Sequence, residues 1–390
     1  MIKILFITPD FYPNSTGFAN ACINLVETIK KYGAHKYEVH IYTEASLGDH
    51  AEYAGAHILR YTKIGENKIS RFLVEMDKVR TICDYVEKND IDIIFFETNT
   101  FPFFETSILK RYKGKCIVRI HSTADTEVPV YGKKNSLGMR YSVKKINEFM
   151  HEIPYIIATS NFYIDFIRDK YLKGNVYSIW DNKNYGILYN TSNTTEYKKK
   201  VIMDNTFLTM GKMSENGLTQ KGIIDLLKAT YLLKKRNLLP ADFRLVIVGN
   251  GVKLEYVQKY IQKLHIQNRC SIIESATHDE VFELIRSSKA IILASRYEGQ
   301  SMFITESLSM GKPLILSKNN GMGDKLIENI NGFGIRAGDI EDIAYTLSKM
   351  MNLDKNVLEK MGDESRKLYN SKFSPEKIYE QFDVLMTLKD

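Results

Sequence analysis

The 390-residue sequence predicts an α/β protein made of two doubly wound domains, and three observations carry that prediction. Domains run to roughly 100–200 residues, so this length calls for two cores. Short apolar runs bounded by polar turns alternate with longer segments of helical period, the pattern of βαβ units and a parallel sheet. The alternation stops in a polar stretch rich in Asn, Thr and Lys between Asp181 and Lys200 and then restarts, which marks a linker.

Taken in order, Lys3 to Thr8 reads as the first strand, because Pro9 and Asp10 follow where a secretory leader would continue its apolar run. From Gly17 to Lys31 apolar residues recur at helical spacing, with Gly33 just past the end. Tyr37 to Thr43, Ile91 to Glu97, Lys115 to His121 and Tyr155 to Thr159 read as further strands. The second of these is nearly all apolar, as expected for a strand covered on both faces. Beyond the linker, Thr206 to Met210, Arg244 to Val248, Cys270 to Ile273, Ala290 to Ala294 and Pro313 to Ser317 read as strands. Gly222 to Arg236 and Lys253 to Leu264 are helical between them, and Ile340 to Met351 and Pro375 to Leu388 close the chain. Asp90-Ile91-Asp92 precedes its strand and reads as a helix-to-strand turn rather than a metal motif.

Composition excludes several classes. Hydrophobic residues at 44% and charged residues at 26% leave no room for a disordered or collagen-like chain. No apolar run approaches the about 18 residues that span a bilayer. Cys22, Cys83, Cys116 and Cys270 lie far apart, without the C-x-x-C pair of zinc or redox chemistry, and read as buried thiols of a cytoplasmic protein. The net charge of +7, from 54 basic and 47 acidic residues, is too dispersed for a nucleic-acid groove. It leaves anionic small molecules and an anionic membrane surface as partners. Two basic clusters bear on the latter: Lys110, Arg111, Lys113 and Lys115, then Lys133, Lys134, Arg140, Lys144 and Lys145. The second interleaves Tyr131, Leu137, Met139 and Tyr141 and is either a solvated face or a contact for anionic lipid or a phosphate-bearing acceptor. His151, His265 and His278 read as structural or surface residues.

The segment from Ala290 to Pro313 carries the chemistry. It reads as strand, glycine-containing loop, short helix, glycine C-cap, proline and next strand. The first amides of that helix, near Gln300 to Phe303, suit phosphate or sugar oxygens. Glu298 lies in the loop and Glu306 about one turn inside the helix, so both carboxylates can face one polyol ligand. A charge-assisted hydrogen bond to a hydroxyl is worth about 1.5–3 kcal/mol.

Glu298 and Glu306, with Ser-Leu-Ser-Met-Gly-Lys-Pro following, resemble the E-x7-E signature of retaining family 4 glycosyltransferases. Further elements extend the resemblance along most of the chain. Gly211-Lys212 with Lys221-Gly222, Gly249-Asn250-Gly251, Asn331-Gly332-Phe333 and Lys372-Phe373-Ser374 match in the second half. In the first half the loop from Pro13 to Asn20, His121, Thr159-Ser160 and Tyr189-Asn190 match. The resemblance implies GT-B architecture: two Rossmann-like domains facing an interdomain cleft, with the C-terminal helix crossing back to the first. Residues 1–185 with 373–390 would form the acceptor-side domain and residues 186–372 the nucleotide-sugar-binding domain.

It also implies a nucleotide-sugar donor, usually UDP-linked, and a saccharide, lipid-linked or polymer acceptor. The enzyme would act in the cytoplasm, peripherally on the inner face of the membrane where its acceptor requires it. Glu306 would bond the ribose, while Glu298 and the amides of Gly299, Gln300, Ser301, Met302 and Phe303 hold the sugar. Lys212 and Lys221 would neutralise the departing diphosphate, with no metal and no cofactor. Lys212 stands where the family usually has arginine, which keeps the charge and loses the planar fork. Gly17 would let its loop approach the donor phosphates, and His121 would sit over the anomeric centre. The other readings are a non-catalytic partner of the same fold that binds a glycan or protein, and a nucleotide-sugar epimerase.

Overall fold

The computed structural model describes residues 1–14, 16–44, 52–97, 102–122, 137–172, 184–193 and 205–387. These fall into two compact units. The first takes the described chain up to Asn193 together with the stretch from Ser374, and the second takes the rest up to Phe373.

The first unit contains β1 (Ile2–Thr8), α1 (Gly17–Gly33), β2 (Tyr37–Thr43), β3 (Glu52–Tyr53), β4 (Ala56–Arg60), α2 (Lys68–Lys88) and β5 (Ile93–Phe96). It continues through α3 (Pro102–Tyr112), β6 (Cys116–Ile120), α4 (Leu137–Glu152), β7 (Tyr155–Ala158), α5 (Asn161–Leu172) and β8 (Asn184–Ile187). Its sheet has the order β3-β4-β2-β1-β5-β6-β7-β8, and only the β3–β4 pair is antiparallel. All four residues of β5 are buried, as its apolar run requires. The strand order reverses between β1 and β5, and ligands of doubly wound sheets bind beyond the carboxyl ends at such a reversal. Gly17 follows β1, Glu97 follows β5 and His121 follows β6.

The second unit runs β9 (Thr206–Met210), α6 (Glu215–Lys221), α7 (Ile223–Lys235), β10 (Arg244–Val248), α8 (Leu254–Lys263), β11 (Cys270–Ile273), α9 (His278–Ser287) and β12 (Ala290–Leu293). It ends with α10 (Met302–Ser309), β13 (Leu314–Ser317), β14 (Gly332–Ile335), α11 (Ile340–Met351) and α12 (Lys355–Leu368). Its all-parallel sheet has the order β11-β10-β9-β12-β13-β14, which reverses between β9 and β12. The core packs Phe207, Leu245, Ile247, Ile292, Ile315 and Phe333 from the strands against Leu226, Val257 and Leu347 from the helices.

The last helix, α13 (Pro375–Thr387), belongs to the first unit, as the family pattern implies. It buries Ile378, Phe382 and Met386, each worth about 1.5–3 kcal/mol on leaving water. Tyr379 stacks on Tyr32 at 5.9 Å and Phe382 meets Tyr37 edge-on at 5.3 Å. Asp383 closes the contact, accepting from Lys36 at 2.6 Å and from the Tyr37 hydroxyl at 2.7 Å.

Two details differ from the sequence reading. The stretch read as a linker holds β8, whose Tyr185–Gly186 pair with Ile156–Ile157, so the first unit extends to Asn193. An edge strand has one open side and tolerates a polar composition. Strands β3, β4 and β14 and helices α2, α3, α4, α5, α6, α9 and α12 lie where no element is read from the sequence. The Asp90 turn is as expected: its φ of 52° leads from α2 into β5. Among the described residues no helix is long and apolar enough to cross a membrane.

Candidate functional site

In the second unit the site grows from the carboxyl ends of β9 and β12. After β9 the chain passes Gly211-Lys212 and enters α6, whose first turn is capped by the Ser214 hydroxyl accepting from the Gly217 amide at 3.1 Å. Helix α6 stops after two turns at Gly222, which adopts a left-handed φ of 64°. A Cβ at Gly222 would stand 2.3 Å from the Ala294 carbonyl oxygen, so both conformation and close packing on the end of β12 require glycine. That stop sets the Lys221 side chain over Gly211, and its Nζ donates to Glu298 Oε2 at 2.5 Å.

The loop carrying Glu298 is pinned from several sides. Arg296 pairs with Asp225 at 2.6 Å and donates to the Thr219 carbonyl at 3.0 Å, tying the loop to α6 and α7. The Ser295 hydroxyl is 3.3 Å from Glu298 Oε2. On the other side the Gly321 amide donates to the Glu298 carbonyl at 2.9 Å. A Cβ at Gly321 would lie 1.9 Å from the Gly299 carbonyl oxygen, so that contact too requires glycine. Ser301 makes no side-chain capping bond to α10, and the first turn of that helix carries no acidic residue, which leaves its positive end uncompensated.

Glu306, inside α10, is 5% exposed, and its Oε1 lies 3.2 Å from His278 Nε2 at the start of α9. The hydrogen bond to Glu306 raises the His278 pKa above its ordinary value against the opposing effect of burial. Lys325 is fully buried, with Nζ donating to the Ser301 carbonyl at 2.9 Å and the Thr305 hydroxyl at 2.5 Å. Burial pulls its pKa down to about 7, against the upward pull of Glu298, Asp324 and Glu306. Lys325 thus sits beneath the N-terminus of α10, holding the main chain from which Gln300 to Phe303 project.

Of the sequence-predicted residues, the second unit brings together Lys221, Glu298, Gly299, Gln300, Ser301, Met302, Phe303 and Glu306. Lys212 is exposed beside them and makes no ion pair among the described residues. His278, read from sequence as structural or surface, is placed on Glu306, and Lys325 carried no sequence signal.

The first unit holds Gly17 and His121. Gly17 is the exposed first residue of α1, and no protein atom lies within 4 Å of where its Cβ would be. Packing in this chain therefore does not demand glycine there. His121 follows β6, and its Nε2 is 2.8 Å from Glu97 Oε2. The ring meets Phe18 edge-on at 4.9 Å. Glu97 and Arg119 are both fully buried, with Arg119 Nη1 3.3 Å from each carboxylate oxygen. Burial works against the Glu97 carboxylate, but Arg119 and His121 together hold its pKa below the ordinary range. Asn190 accepts from Arg119 Nη2 at 2.5 Å, which gives the Tyr189-Asn190 motif its structural place. Neither Glu97 nor Arg119 is among the residues singled out from sequence. An arginine inside a buried apolar strand is the signal that could have found them, since such a charge requires a partner.

The basic clusters are largely spent within the chain. Arg111 pairs with Glu87, Lys113 with Glu152 at 2.6 Å, and Lys115 donates to the Ile91 carbonyl at 2.6 Å. Lys144 and Lys145 share Glu148, while Lys133, Lys134 and Tyr131 lie outside the described residues.

Residues 193–368 match the sequence model of the family described as glycosyl transferases group 1. An uncharacterized glycosyltransferase of Methanocaldococcus jannaschii is 24% identical over 379 residues, 97% of this chain and 96% of that one. Among solved structures, sucrose-phosphate synthase from Thermosynechococcus elongatus superposes with a TM-score of 0.79 at 15% identity, covering 100% of this chain and 99% of that one. HepE of Anabaena in complex with UDP and glucose has a TM-score of 0.73 at 16% identity, covering 100% of both chains.

Proposed function

We propose that this chain, a hexosyltransferase of the GT-B type and the group 1 class, is a retaining enzyme that draws its sugar from a nucleoside diphosphate donor, UDP-linked in the first instance. The observation that carries the reading is the carboxylate–lysine set at the reversal of the second sheet. Glu298, partnered by Lys221, and Glu306, partnered by His278, stand on either side of the uncapped start of α10. Carboxylates accept hydroxyl protons, cations and free amides receive phosphate, and a nucleotide sugar presents both. HepE, which shares the fold, is seen with UDP.

On this reading Glu306 takes the ribose hydroxyls, and Glu298 with the amides of Gly299 to Phe303 takes the sugar. The bond between the anomeric carbon and the diphosphate oxygen breaks, and its electron pair leaves with the diphosphate. Lys212, Lys221 and the N-terminus of α10 carry that charge, the work a divalent cation does in other transferases. The acceptor hydroxyl bonds to the anomeric carbon on the face the diphosphate leaves, and its proton passes to a diphosphate oxygen. His121 is assigned to the sugar and Gly17, unconstrained by its own neighbours, to the phosphates. The acceptor is a saccharide, free, lipid-linked or polymeric.

Incubation with a panel of nucleotide sugars tests this, reading thermal stabilisation and slow donor hydrolysis by mass spectrometry. At least one UDP-sugar is expected to stabilise the chain and release UDP. If no nucleotide sugar does either, the donor assignment is wrong.

A further inference from the structure

His121 is held by groups that leave it little freedom of protonation. Glu97, whose Oε2 accepts from the ring, has no exposed surface, and its other oxygen faces Arg119. Arg119 is fixed in turn. Its Nε and Nη2 donate to the Leu188 carbonyl at 3.3 and 3.2 Å, and Nη2 also reaches the Tyr189 carbonyl at 3.2 Å and Asn190 Oδ1. A guanidinium does not lose its proton in proteins, so the facing carboxylate stays ionised and can only accept. The proton between Glu97 and His121 therefore belongs to the imidazole, on Nε2. Among the described residues nothing bonds to Nδ1.

We propose that Glu97 is the positioning residue for His121: it locks the imidazole as the Nε2–H tautomer, so that Nδ1 is offered as a hydrogen-bond acceptor to a hydroxyl of the transferred sugar. This rests on the donor reading above and assigns His121 a single role within it. Burial, with Arg119 adding to it, pushes the His121 pKa below the ordinary histidine value despite the upward pull of Glu97. The ring is neutral at physiological pH, and with Nδ1 bare it has no proton to give to the leaving diphosphate. It orients the sugar and places a lone pair near developing positive charge. Carboxylate–imidazole pairs fix tautomer and ring direction in this way wherever a histidine must present one chosen nitrogen.

The test is nitrogen-15 NMR of the full chain labelled at histidine, with His121 identified by the signals lost in His121→Asn. Protonated Nε2 and unprotonated Nδ1 are expected, unchanged between about pH 7.5 and pH 9. An Nδ1–H tautomer or an imidazolium in that range overturns the proposal. The measurement needs no substrate, so a chain that bound no nucleotide sugar would sink the donor reading and leave the tautomer result standing. Activity gives the second arm. Glu97→Gln should mix the tautomers and lower kcat/KM by roughly 10–100-fold. Added to His121→Asn, it should cost no further factor, whereas independent losses that multiply would show that Glu97 acts on the fold and not through His121. Where Glu97→Gln fails to fold because Arg119 is left unpaired, the tautomer of the unmutated chain decides alone.

Discussion

Glu97 in the first unit and Glu298 in the second are both buried carboxylates within bonding distance of a cation, yet they are built for different work. Glu97 is paired with an arginine that has no exposed surface and whose remaining donors are tied to main-chain carbonyls and Asn190. The planar fork cannot turn away without stranding several polar groups. Glu298 is paired with a lysine whose side chain is 17% exposed and whose flexible stem begins at the end of a two-turn helix. An ammonium on such a stem can turn toward a phosphate while the carboxylate takes a hydroxyl. The first pair is a frame, and the second is a pair of groups that a ligand can part.

Removing each cation separates the two descriptions most sharply. Arg119→Met leaves Glu97 buried without its cation, held only by the His121 ring, and loss of one partner of such a pair costs about 3–5 kcal/mol. Lys221→Met should cost no more than about 1–2 kcal/mol of stability, since water and Ser295 reach Glu298. Its loss should appear instead in kcat, by roughly a hundred- to a thousandfold, as when one group stabilising a developing anion is removed. Denaturant titration and donor kinetics on the two variants decide it. Equal destabilisation would erase the distinction between frame and exchangeable pair.

Glu306→Gln probes the other carboxylate of the second unit. The amide keeps the shape and loses the charge, so the expected loss is the excess of charge-assisted over neutral hydrogen bonds at two hydroxyls. That is about 1.5–3 kcal/mol, or roughly 10–150-fold in UDP affinity by calorimetry. Unchanged affinity would remove the ribose from Glu306.

The two units also differ in how far their sites could be read from sequence. The strand–loop–helix–strand run from Ala290 is legible because everything that shapes it is local. β12 is four buried apolar residues, α10 follows within one loop, and Gly311 with Pro313 closes the segment before β13. Its long-range partners are not local. His278 reaches Glu306 from a helix 28 positions earlier, and Lys325 reaches Ser301 from a polar loop with no periodic signal. In the first unit the frame is spread over β5, β6 and the chain after β8, joining Glu97 to Arg119 22 positions on and Arg119 to Asn190 a further 71 positions on. Only Arg119 is chemically odd in its own strand, and it is not singled out in the sequence reading. Polar composition misled at β8 because an edge strand follows hydrogen bonding more than burial.

The smallest effect expected concerns His278 and tests whether the second unit's pairs open for a ligand at all. The Glu306 carboxylate raises the pKa of His278, so near neutral pH the free chain holds more protonated His278 than an isolated histidine would. A ribose bound at Glu306 competes for that carboxylate, weakens the pair and releases the proton. UDP affinity should therefore rise with pH through the raised pKa, above the ordinary value of about 6.5, by at most about tenfold per pH unit for one released proton. His278→Gln should flatten the profile. Stability runs the other way. A raised histidine pKa contributes stability that is present below the unfolded value and lost as pH climbs through the folded one, and with the side chain 59% exposed that contribution is small. Calorimetry with UDP across this range distinguishes the outcomes. Affinity that falls with rising pH would place the imidazolium on the donor's phosphates, making His278 a ligand of the anion and not a competitor for Glu306.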